Sequence, residues 1–339
     1  MPASCGDKAG RIDVPVEATN LLIDDLDYFD NEYANEERML ARKAKGAATR
    51  ETAPPSSLLE EETSGPDIAM TYQPARFERA WLGSSLRPFY DQSLITDVLS
   101  SVKGGKEASV YCCKAHPNTG HELLAAKVYR PRAFRNLRND KMYREGRPVL
   151  TEDGRAVKPT DQRLMRALGK KTDFGVQVEH TSWLQYEYTT LAKLHAAGAA
   201  VPQPIGAAEN AVLMSYEGSP EHPAPTLIEV GLDPEEGAAL YDEVMRNIRL
   251  MLSLGLIHGD LSAYNILYWE GRVTLIDFPQ VTSCATNTRA EFILARDITR
   301  VCDYFSRLGV ECDPTKLARR MWKEFGPREA PMPPPDLNG

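Results

Sequence analysis

The chain has 339 residues, with 40 Lys plus Arg against 48 Asp plus Glu, for a net charge of −8. An apolar share of 42% excludes a wholly disordered chain, and no run approaches the roughly 18 apolar residues that a membrane span needs. The first ten residues lack a signal-peptide core, and the six cysteines form no CxxC pair and complete no zinc pattern with His. Reduced thiols in a cytoplasmic protein are therefore expected, without structural zinc and without a membrane partner.

Residues 1–76 read as a solvated N-terminal arm. Residues 23–40 hold seven acids against one base, Arg38, and residues 52–73 are rich in Pro, Ser, Thr and Glu, a composition that cannot bury enough apolar surface to offset chain entropy. From Phe77 the character changes. Residues 94–102 predict a short amphipathic helix or a strand lead-in. Residues 108–113 and 123–129 predict two β-strands around the turn His116-Pro-Asn-Thr-Gly120. Residues 130–171 carry thirteen Lys or Arg against five acids, a local charge of +8 inside an acidic chain. A helix is expected around residues 183–194, capped by Gly198. A strand pair at 205–208 and 211–215, a helix at 234–254, a hairpin at 266–276 and helices over 290–325 complete the reading. Residues 327–339 form a Pro-rich tail. A strand-rich half followed by a helix-rich half is an α+β pattern.

The informative stretch is His258-Gly-Asp-Leu-Ser-Ala-Tyr-Asn265, followed by Ile276-Asp277-Phe-Pro279. Asp260 lies five residues before Asn265, and Asp277 twelve beyond it, at the end of an apolar strand. Phosphoryl transfer needs this set: one carboxylate to orient a hydroxyl and take its proton, and an amide oxygen plus a second carboxylate to hold Mg²⁺ against a triphosphate. Such a site also needs a strand lysine paired with a helix glutamate. Lys127, in an apolar strand, and Glu187 meet that description. A glycine-bearing turn should precede them over the phosphates, and Gly104 and Gly105, followed by Lys106, stand there. Thr172-Asp-Phe-Gly175 spells the metal motif of protein kinases but precedes the catalytic segment, so Asp173 is expected to be a loop residue and Asp277 the metal position.

With these residues in place, the chain resembles the RIO family of atypical protein kinases, its type-one branch above all. The likeness runs from about residue 94 to 325 and is carried by Gly105-Lys-Glu-Ala-Ser-Val, Ala126-Lys-Val-Tyr, Trp183 with Glu187, Val212-Leu-Met-Ser-Tyr-Glu-Gly and the Asp260–Asn265 loop. The resemblance implies a bilobal protein-kinase-like fold. Its N-lobe (about 77–216) would be an antiparallel sheet with one main helix, and its C-lobe (about 217–326) mostly helical, trimmed of the usual activation and substrate-binding segments. It implies that Met214 guards the adenine pocket, that the backbone of Ser215 and Glu217 binds the adenine edge, and that residues 130–171 are a flexible insert. It further implies ATP with Mg²⁺ or Mn²⁺, phosphorylation of protein serine including the chain itself, and, in some members, transient phosphorylation of the metal aspartate with ATPase-like turnover.

The chain departs from the family in Lys103-Gly104 and Ser109, and from typical protein kinases in having Gly259 before Asp260. It has no Ala-Pro-Glu segment after Asp277, so switching by activation-loop phosphorylation is not expected. The basic insert offers a surface for RNA phosphate, a ribosomal partner, an acidic protein substrate or the acidic arm itself as an internal brake. Two rival readings stay open: a nucleotide-gated assembly factor, and a small-molecule phosphotransferase of the aminoglycoside or choline kinase type.

Overall fold

A computed structural model describes residues 68–105, 108–129, 141–151, 154–158, 161–170 and 172–327. The acidic stretch 23–40, residues 328–339 of the Pro-rich tail and Lys106 lie outside the described residues, and with them the alternative in which the acidic arm acts as a brake.

Helix α1 (Arg76–Asp91) opens the N-lobe, where no element was expected. Leu82, Leu86 and Phe89, at i, i+4 and i+7, are fully buried against Ile95, Val98 and Leu124. Each such side chain contributes about 1.5–3 kcal/mol. The lobe reaches back beyond residue 77: Met70 bridges Val98, and Ile68, Met70 and Tyr72 pack on the same core.

Strands β1 (Ile95–Gly104), β2 (Ala108–Ala115), β3 (Leu123–Tyr129), β4 (Pro204–Ala207) and β5 (Ala211–Ser215) form one antiparallel sheet in the order β1-β2-β3-β5-β4. The ambiguous stretch 94–102 is thus strand, since its buried residues Ile95 and Val98 face the sheet core and its ladder partners are β2 residues.

Between β3 and β4 come α2 (Lys141–Arg144), α3 (Gln162–Lys170) and α4 (Asp173–Ala196). The last is far longer than its apolar stripe suggested. Thr172 caps it by accepting from the Gly175 N–H at 3.1 Å, so Asp173 is its first residue and not part of a loop. Trp183 and Leu184 bury with Tyr129 and Val212 in a small core between α4 and the sheet.

The C-lobe holds α5 (Pro234–Ser253), β6 (Leu256–Ile257), β7 (Ile266–Trp269), β8 (Arg272–Leu275), β9 (Thr282–Ser283), α6 (Ala290–Ser306) and α7 (Pro314–Phe325). Asp233 and Asp313 cap α5 and α7, each followed by Pro at the first helical position. Strands β7 and β8 pair through a two-residue turn, Glu270-Gly271, with both φ positive at 49° and 75°. Among the described residues no helix is long and apolar enough to cross a membrane.

Candidate active site

Strand β3 carries Lys127 opposite Val110 on one side and Val212 on the other, so the sheet fixes its backbone from both edges. Its ammonium lies 2.6 Å from a carboxylate oxygen of Glu187 on α4 and 2.6 Å from one of Asp277 in the C-lobe. Two residues on, and so on the same strand face, Tyr129 donates its hydroxyl to the other oxygen of Glu187. The Lys127 ammonium also stands 5.3 Å from the Tyr129 ring centre.

Electrostatics follow from burial and charge. Burial opposes the Lys127 charge, but Asp277 and Glu187 outweigh it and hold the ammonium above its ordinary range. Burial pushes the Glu187 carboxyl up despite Lys127, and Asp277 adds to the rise. At Asp277 the pull of Lys127 overcomes burial, helped by Lys103, and the carboxyl sits below its ordinary value. Lys103, at the glycine turn, thus acts electrostatically on the site.

The segment 258–265 is held by its neighbours. His258 is buried; its Nε2 donates to the Ile276 carbonyl at 3.1 Å and its Nδ1 accepts from the Asp260 N–H at 3.3 Å. Asp297 on α6 accepts from the Gly259 N–H at 2.8 Å, while the adjacent Arg296 donates to the Gly259 carbonyl. Gly259 has φ +85°, and a Cβ there would overlap the Gln280 carbonyl. This is a place for glycine on both grounds.

Asn265 donates its amide N–H to the Asp260 carbonyl at 2.8 Å and to the Asp260 carboxylate at 3.3 Å. Its own carbonyl accepts from the Ile276 N–H at 3.0 Å, which extends the β7–β8 ladder and sets Asn265 beside Asp277. Asp277 adopts φ +71°, a left-handed conformation rare outside glycine. Phe278 turns the opposite way, into the C-lobe core.

The glycine turn is tight. The Gly105 N–H donates to the Ala108 carbonyl at 2.9 Å, and Gly104 pairs with Ser109 across β1 and β2. On β5, Met214 pairs with Ala125 and packs against core residues of both lobes. The Ser215 N–H is already committed to the Gln203 carbonyl at 2.8 Å, and the Glu217 carbonyl accepts from the Ala224 N–H at 3.0 Å. Of the four N–H and C=O groups at Ser215 and Glu217, the Glu217 N–H has no protein acceptor among the described residues.

Sequence reasoning missed Tyr129, Arg296, Asp297 and Arg300. The period-2 relation to Lys127 was a usable signal for Tyr129. The three α6 residues carry no motif, and only folding brings them to the loop.

Among the described residues no group of three or more His, Cys, Asp or Glu is set to hold a metal. One carboxylate and one amide oxygen, both hard donors, do suit Mg²⁺, whose remaining ligands would be phosphate and water.

Comparison with known proteins gives a consistent result. The model of the RIO domain matches residues 140–317, just over half of the chain. Lys127 and the glycine turn lie before that match and rest on geometry. The chain is similar to the RIO-type serine/threonine-protein kinase Rio1 of Thermoplasma acidophilum, at 39% identity over 142 residues, covering 42% of this chain and 73% of that protein. The Rio1 of Haloferax volcanii is 30% identical over 218 residues, covering 64% of this chain and 66% of the relative. Human RIO1 is 28% identical over 221 residues, 65% of this chain but 35% of that protein. Among solved structures, the Rio2 kinase–ADP/Mg²⁺–phosphoaspartate complex of Chaetomium thermophilum superposes with a TM-score of 0.50 at 19% identity, covering 76% of this chain and 72% of that one, which shows a shared kinase-like fold. The chain belongs to the RIO family of atypical serine/threonine protein kinases.

Proposed function

We propose that the chain transfers the γ-phosphoryl group of ATP to a serine hydroxyl of a protein, its own included. The observation that carries this reading is the Lys127 ammonium held 2.6 Å from both Glu187 and Asp277, with Asp260 and Asn265 on the neighbouring loop. Glu187 orients Lys127 toward the α- and β-phosphates. The turn at Gly104 and Gly105, with Lys106 after it, covers the phosphates. Met214 bounds the adenine pocket, and the Glu217 N–H, without a protein acceptor among the described residues, meets the adenine edge.

Asn265 and Asp277 would hold Mg²⁺, which when bound neutralises charge on the phosphates; Mn²⁺ would meet the same donors. Asp260 accepts the serine proton as the hydroxyl oxygen bonds to the γ-phosphorus and the bond to ADP breaks. Arg300 and the Asn265 amide fix one oxygen each of the Asp260 carboxylate.

A second reading is favoured by the phosphoaspartate in the solved Rio2 complex. Asp277 itself takes the phosphoryl group and water then releases it, so that ATP turnover times an assembly role. The reading takes the chain itself as cytoplasmic, supported by six cysteines that form no CxxC pair. The basic insert supplies a surface for a ribosomal or RNA–protein partner, supported by its charge of +8.

Incubation of the purified chain with γ-labelled ATP tests both readings. Acid-stable phosphoserine that disappears in Asp260→Asn supports protein phosphorylation. Hydroxylamine-labile label that disappears in Asp277→Asn supports the aspartyl route. No label in the wild-type chain under either condition overturns both.

A further inference from the structure

Only twelve residues, 278–289, separate Asp277 from the first turn of α6. That leaves little chain to build the segment that elsewhere orders a kinase site. A piece of the basic insert lies against those residues instead. Asn287 donates to the Met142 carbonyl at 2.8 Å, the Thr288 hydroxyl to the Glu145 carboxylate at 2.9 Å, and Arg147 to the Val281 carbonyl at 2.6 Å. Gly146, at φ +74°, sits so close that a Cβ there would overlap Thr286.

The same piece reaches two parts of the site. Tyr143 is buried, and its hydroxyl accepts from Arg296 at 2.5 Å. Arg296 in turn donates to the Gly259 carbonyl, on the peptide that leads into Asp260. On the other side, the Arg147 guanidinium stands 4.6 Å from the ring centre of Tyr186, the residue before Glu187. Further along, the Leu150 N–H donates to Ser182, also on α4.

We propose that residues 142–150 form a positioning strap: they hold the Asp260 loop through Tyr143 and Arg296 and the Glu187 helix through Arg147, setting both in register without a phosphorylated activation segment. Tyr143, Arg147 and Arg296 are positioning residues, since each acts through another group. A displacement of the order of 1 Å at a reacting group costs about 10²-fold in rate, so loss of one anchor has a measurable consequence. The proposal deepens the kinase reading and rests on it for its kinetic consequence; its structural content stands apart.

The test uses the full chain with Tyr143→Phe, which removes only the hydroxyl, and Arg147→Ala, each against wild type. Two measurements are made: steady-state phosphorylation, and amide hydrogen exchange over residues 256–265 and 182–190. The strap predicts a kcat lowered about tenfold in each variant with the KM for ATP within about twofold. It predicts faster exchange at 256–265 in Tyr143→Phe and at 182–190 in Arg147→Ala. Arg147→Lys, which keeps a donor for Val281, should recover part of the rate. Exchange unchanged in both segments overturns the strap, as does a kcat loss matched by an equal rise in KM and a drop in melting temperature. If the wild-type chain transfers no phosphoryl group yet the exchange differences appear, the strap stands and the kinase reading falls.

Discussion

Arg300 donates to one carboxylate oxygen of Asp260 at 2.9 Å, while the Asn265 amide faces the other at 3.3 Å. Both side chains of the ion pair are about a quarter exposed, at 26% and 27%. Such a pair adds little to stability, of the order of 0–1 kcal/mol. Its consequence is orientation: the carboxylate is held in one rotamer where a hydroxyl can approach.

Arg300→Ala should therefore spare folding and slow turnover. The expected outcome is a kcat lower by about tenfold to 10²-fold, with the KM for ATP little changed. Arg300→Lys, which keeps a cation, should lose less. Steady-state kinetics against a protein acceptor, with a thermal melt of each variant, checks this. Equal kcat in all three proteins would show that Asp260 needs no such support.

Lys127→Met leaves Glu187 buried, with a side chain only 4% exposed and without its cation. Removing one member of a buried pair costs about 3–5 kcal/mol. Glu187 can limit that cost by taking a proton, because burial already pushes its carboxyl up. The double variant Lys127→Met with Glu187→Met should be less destabilised than Lys127→Met alone. Urea denaturation of the two variants and the wild type reads the difference directly.

Asp277 gives a pH dependence of defined sign. Its carboxyl in the fold is held below the ordinary value of 3.8, the unfolded reference. A depressed carboxyl contributes stability that is fully present above that reference and is lost as pH falls through the folded value. Wild type should thus lose more melting temperature than Asp277→Asn as pH falls from about 4 to about 2, the window that runs from the reference downward through the folded value. Identical acid limbs would mean that the Lys127 contact does not act on Asp277 in solution.

Gly259→Ala should be poorly tolerated. The added methyl meets the Gln280 carbonyl, and φ +85° is strained for any L side chain. Strain alone costs about 1–3 kcal/mol, and relief by moving the loop would displace Asp260. A lowered melting temperature together with loss of phosphoryl transfer is expected, whereas Gly104→Ala, with open space around its position, should melt like wild type.

Much of the site was legible because its spacing reflects local geometry. The hairpin that joins Asn265 to Asp277 was readable from two short apolar runs around Glu270-Gly271, and the strand lysine from its apolar flanks. Helix α1 was not legible, since its polar face and the serines Ser84 and Ser85 blur the period. The start of α4 was not legible because its first turns, before Trp183, carry polar residues and a glycine rather than an apolar stripe, and only the Thr172 cap marks it. The α6 contacts to Gly259 and Asp260 were beyond sequence reasoning: they join residues 37 to 40 apart through tertiary packing alone. The insert illustrates the same limit, since its charge announced solvent exposure while Tyr143 and Leu150 are buried.

The β7–β8 hairpin has a further consequence. Its two-residue turn and its uninterrupted ladder work as a ruler with no slack between Asn265 and Asp277. Removing or adding one residue in either arm would send one donor to the opposite face, because side chains alternate along a strand. The chain can lengthen its arm, its insert or its tail without touching that interval. The length of this hairpin is thus set by the two donors it has to bring together.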